Sequence, residues 1–125
     1  MGNKLFEALD QAAAALKVVT ASTLSPDLLA SSTTTLKGIP VNDLIEEFTH
    51  ALPAESDDPK VQDDRSKELD RLANDLNKKV DAVNDELTRI KSMRSTLNLE
   101  ALDPVIHAAQ HVVRPIYNLS ANLRG

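Results

Sequence analysis

The sequence predicts an all-α protein, a helical bundle of four to five helices built around one long amphipathic, coiled-coil-like helix. Three observations predict it. Apolar residues make up 42% of the 125 positions, yet Phe6, Phe48 and Tyr117 are the only aromatics and Trp is absent. Burial therefore falls to Leu, Val, Ile and Ala, which suit helix seams better than strand-rich cores. Beyond Pro59, no Pro or Gly interrupts the chain until Pro104, and apolar residues recur there by threes and fours. Finally, Ser25-Pro26, Asp58-Pro59 and Asp103-Pro104 each pair a capping side chain with a proline that presets φ, the signature of a helix start. One apolar core accounts for a chain of this length, so residues 1–125 read as a single domain.

The elements follow in order. Leu5, Leu9, Ala12, Leu16 and Val19 form one stripe and predict a helix over about 3–20. A second helix, 26–37, carries Leu28, Leu29 and Leu36 and ends at Gly38, the expected C′ residue, although its "SSTTT" run has weak helix propensity. Asn42 caps a third, 42–52, with Leu44, Ile45, Phe48 and Leu52 on one face and Pro53 as its stop. The long helix, 58–96, has a narrow seam of Leu69, Leu72, Leu76, Val80, Val83, Leu87 and Ile90, continued by Leu97. Leu76, Val83 and Leu87 are expected to be buried and Asp75 and Asn84 exposed. At 1.5 Å per residue this helix spans roughly 55 Å, more than its neighbours cover unless helices two and three stack end to end beside it. Its first turns, "KVQDDRSKE", hold one apolar residue and are expected to project or to meet a partner. The last helix, 104–123, buries Val105, Ile106, Ala109, Val112, Val113, Ile116 and Leu123, and Pro115 is expected to kink or divide it.

Composition removes several functions. With no Cys there are no disulfides, thiolate nucleophiles or Cys-based metal sites. A net charge of −5 repels phosphate backbones and argues against nucleic acid. Acids outnumber bases over 55–103, whereas Arg114 and Arg124 are the only charges after Pro104. The run "AAAALKVV" contains Lys17 and follows Glu7 and Asp10, so neither a signal-peptide core nor a membrane span is expected, and the default compartment is the cytoplasm. Met1-Gly2 lacks the Ser or Thr at position 6 that N-myristoylation favours. Asn118-Leu119-Ser120 is a glycosylation sequon by spacing and reads as chance without a secretory route.

Two histidine constellations remain. His107 and His111 stand one turn apart, and at 100° per residue they fall opposite the apolar stripe of the last helix with Arg114 at its edge. A zinc site needs further ligands, and no carboxylate lies after Pro104. Ala108 also stands where the HExxH pattern requires Glu. Glu47-Phe48-Thr49-His50 is one ExxH, where bundle di-iron sites use two with two further glutamates; Glu47 flanks its helix's apolar face and His50 turns away. No glycine-rich phosphate loop or Ser/His/Asp order can be assembled. No cofactor, metal or small-molecule substrate is expected, and no enzyme.

His111-Val112-Val113-Arg114-Pro115 resembles the H-x-x-[KR]-G core of histidine phosphotransfer domains, with Pro115 in the glycine's place. It also resembles the H-box of sensor histidine kinases, where the proline lies one residue further on. Pro40, Leu44, Glu68-Leu69, Leu72-Ala73 and Leu76-Asn77 are similar to the landmarks of HAMP signal-relay modules, and "RLANDLNKKVDAVNDEL" resembles the coiled coil of central-channel nucleoporins. The expected function rests on the helix pattern and on none of these likenesses. That function is a non-catalytic helical-bundle or coiled-coil module that binds another protein, or a second copy of itself, by helix packing. The expected contact surfaces are the start of the long helix (Asp58, Lys60, Asp64 and Glu68) and the His107, His111 and Arg114 face. The alternative is a phosphorelay bundle with His111 as phosphoacceptor.

Overall fold

A computed structural model describes residues 3–21 and 25–123. It is 87% helical, without a strand among the described residues. The helices are α1 (Lys4–Ala21), α2 (Pro26–Lys37), α3 (Val41–His50), α4 (Pro59–Leu97) and α5 (Asp103–Leu123), with a 3-10 turn, Glu100–Leu102, between the last two.

Polar pairs across the seams fix the directions. Lys79 of α4 binds Asp10 of α1 at 2.9 Å, and the Thr20 hydroxyl of α1 donates to Glu86 of α4 at 3.4 Å, so the two helices run parallel. Tyr117 to Asp81, Ser120 to Asn77 and Arg94 to Asp103 make α5 antiparallel to α4. Both α2 and α3 pack against α1 and α5. The two short helices thus follow one another as the fourth column of the bundle, across from α4. They do not lie beside α4, the arrangement that would have covered its full length.

The core carries the stripes read from the sequence. Leu5, Leu9 and Leu16 of α1, Leu76, Val83 and Leu87 of α4, and Val105, Val112 and Ile116 of α5 are all buried. Several positions differ, each for a local reason. Leu97, at the end of α4, is 59% exposed because that helix runs past its cover, and Leu28 is 37% exposed on the outer side of α2. Asp75 and Asn84 are half-buried rather than exposed; an edge position on a helix flanked on two sides is partly covered whichever residue fills it. Glu86, polar by sequence, is buried beneath Thr20, and Arg89 at 3.1 Å meets its charge.

Caps and turns show the same mixture. Asp58 caps α4 as expected, its carboxylate accepting from the Lys60 amide at 3.0 Å, and Asn3 caps α1 at the Leu5 amide. Asp103 does not cap α5: it lies inside the helix, and its carboxylate turns to Arg94. Nor does Asn42 cap α3, which starts after Pro40. Gly38 ends α2 with an ordinary φ of −75°, while the left-handed residue is Asn98, φ 52°, closing α4. The "SSTTT" run is helical, and three of its hydroxyls are hydrogen-bonded. Thr33 and Thr35 donate to carbonyls one turn back, and the buried Ser32 donates to the Ala15 carbonyl of α1 at 3.1 Å. Among the described residues, no buried side-chain nitrogen or oxygen lacks a partner. No helix there is long and apolar enough to cross a membrane.

Candidate functional site

The periodicity of α5 places His107, His111 and Arg114 together, all exposed, around a shallow depression of about 270 Å3 that Gln110 completes. Of the two outcomes expected at Pro115, a kink or a division, the helix is not divided: α5 runs through it as one element. The carbonyl it leaves without an amide belongs to exposed His111, where water can take the bond. The nearest carboxylate in sequence, Asp103, is held by Arg94 at 3.0 Å. That hydrogen bond holds its carboxyl below the usual range against a smaller desolvation effect, and the charges of Arg94 and His107 add to the lowering. Among the described residues, no group of three or more His, Asp or Glu could hold a metal ion. Glu47 and His50 are both exposed, and Glu47 makes only a long ion pair with Lys4, 3.6 Å, at the surface. Ser120 of the sequon is buried against Asn77, so the folded chain offers no extended acceptor there. Met1, Gly2 and Arg124 lie outside the described residues.

The start of α4 projects. Asp10 lies beside Lys79 and Ser120 beside Asn77, so α1 begins and α5 ends several turns short of Pro59. Asp58, Lys60 and Asp64 are exposed, as is Val61, at 44%. Glu68 is half-buried and paired with Arg71, whose hydrogen bond lowers its carboxyl pKa. Among the described residues the start of α4 is braced from elsewhere by the Arg65 Nε, which donates to the Pro53 carbonyl at 3.0 Å. These residues do not join the histidine face. Arg114 lies level with about residue 83 of α4, so even Glu68 is roughly 22 Å away along the axis at 1.5 Å per residue. The candidate surfaces are two patches.

A third surface was not legible as a site. The starts of α2 and α5 lie side by side with the turn before α5, and between them opens a groove of about 580 Å3. Pro26, Leu29 and Ala30 form one wall, and Leu99, Ala101 and Leu102 the other. Among the described residues no ionisable side chain lines it, while Asp27 and Glu100 stand exposed next to the lining residues. The sequence signal was "NLEAL", Leu99 and Leu102 three apart in a segment read as a link. Only the pairing with α2 turns that segment into a wall.

No family model, no curated protein and no solved structure matches the chain.

Proposed function

We propose that this chain is a non-catalytic interaction module whose groove between α2 and α5 receives an amphipathic helix of a partner protein. The observation that carries the reading is the groove's lining. Its described residues are Pro, Leu, Ala and Thr with no ionisable group among them, a surface that can take up apolar anchors and offers no proton-transfer group. A helix laid into such a groove buries residues spaced by three and four, and the exposed Asp27 and Glu100 favour basic residues flanking that stripe. Site-specific photo-crosslinking from position 101, in cells that make the protein, tests it. The reading expects one discrete adduct whose crosslinked peptide is an apolar-striped helix with Lys or Arg at its flanks, absent with Ala30→Arg. Adducts that form from positions 60 or 111 but not from 101 would overturn it.

The phosphorelay reading keeps one supporting observation: His111 and Arg114 are exposed together on a helix that passes unbroken through Pro115. An acid-labile, base-stable adduct formed with a small phosphodonor and abolished by His111→Gln would establish it in place of the interaction module.

A further inference from the structure

At the opposite end of the bundle, α3, the projecting start of α4 and the end of α5 enclose a second cavity of about 560 Å3. Its floor is apolar: Leu69 and Leu119 are buried, and Ile45 and Leu52 half-buried. Its rim is polar, with Asn118 and Asn122 one turn apart on α5 and Arg65 from α4. Among the described residues, Arg65 is its only charged lining residue.

The Arg65 guanidinium differs from its neighbours on α4. Arg71, Arg89 and Arg94, also on α4, each bind a carboxylate. Arg65 is half-buried and has no carboxylate partner among the described residues. Its single bond, Nε to the Pro53 carbonyl, anchors the fork while leaving both terminal nitrogens as donors. A guanidinium presented in this way matches the two oxygens of one carboxylate. One cation among the described lining residues, on a chain of net charge −5, suits a monoanion better than a polyphosphate. The floor requires an apolar body, and a cavity of this size falls within the ordinary range for small-molecule sites.

The geometry points to a binding site for an amphipathic monocarboxylate, an alkyl chain ending in one carboxyl group, with the chain on Ile45, Leu52, Leu69 and Leu119 and the carboxylate on Arg65. This site is independent of the groove between α2 and α5.

Decanoate and 1-decanol, titrated into the full chain and followed by amide NMR, test it. Decanoate is expected to give saturable shifts centred on Ile45, Thr49, Leu69 and Asn118. Arg65→Gln is expected to weaken decanoate about tenfold or more, the scale of a lost charge-assisted pair, and to leave the weaker decanol binding unchanged. Asn118→Phe, which fills the mouth from an exposed position, should weaken both ligands while the circular dichroism spectrum stays that of the parent. Shifts centred on Ala30 and Ala101, equal affinity for the acid and the alcohol, or no saturable shift would each overturn the assignment.

Discussion

The Tyr117 hydroxyl of α5 donates to Oδ1 of Asp81 on α4 at 3.0 Å. Partial burial first, then this bond and the negative charges of Asp81 and Asp85, push the phenol up to about 12. Tyr117 is the only tyrosine and the chain has no Trp, so absorbance at the phenolate band reads this one group. A midpoint near 12 is expected in the folded chain, moving towards the ordinary phenol value of 10.0 in Asp81→Asn. Because the folded state holds this proton more tightly, the stabilisation is complete below the unfolded pKa and is lost as pH rises through the folded one. Denaturant midpoints should therefore fall between pH 10 and about 12, more steeply in the parent than in Tyr117→Phe.

Arg94 and Asp103 tie the end of α4 to the start of α5 at 3.0 Å. The Asp103 carboxyl is lowered from 3.8, chiefly by that hydrogen bond, so its contribution is present above the unfolded pKa and lost as pH falls through the folded value. Asp103→Asn should destabilise the chain at neutral pH and make no difference once pH lies well below 3.8. Urea titrations of both proteins across that range check it. The pair is surface-accessible, 33% and 42% exposed, so the effect is expected to be small and to shrink in high salt.

The seam of α4 gives a test by contrast. Leu76 is fully buried and Leu97 is 59% exposed, although both continue one apolar stripe in the sequence. Leu76→Ala should cost about 2–5 kcal/mol, and Leu97→Ala less than about 0.5 kcal/mol. Chemical denaturation of the two variants decides it, and equal losses would mean that α4 is covered to its end.

Much of the fold was legible because helical periodicity is a local property. The stripes of α1, α4 and α5 lie where leucine spacing put them, and Asp58 caps α4 as its Asp-Pro pair announced. The misses occur where tertiary geometry overrides a local signal. Asp103 has the same Asp-Pro signature, but Arg94 lies across the turn and takes its carboxylate. Leu97 continues the period beyond the end of its cover, and Ser32 is buried because α1 offers it the Ala15 carbonyl. The parallel pairing of α1 with α4 is set by which seams meet, and periodicity does not encode that choice. The candidate surfaces were legible only in part for the same reason. Exposure of His107, His111 and Arg114 follows from one helix, whereas both cavities join segments far apart in the chain.

The proposed binding of a partner helix in the apolar groove between α2 and α5, and not on the histidine face, can be tested by direct titration. The most direct measurement is the affinity of the chain for the partner helix recovered by crosslinking at position 101, measured by isothermal titration with Ala101→Arg and with His111→Gln. Both substituted positions are exposed, so both variants should keep the fold. Ala101→Arg is expected to weaken binding at least tenfold while His111→Gln leaves it unchanged, since burying an unpaired charge in the groove opposes the apolar contact and the histidine lies outside it. Unchanged affinity in Ala101→Arg, or a loss confined to His111→Gln, would contradict it.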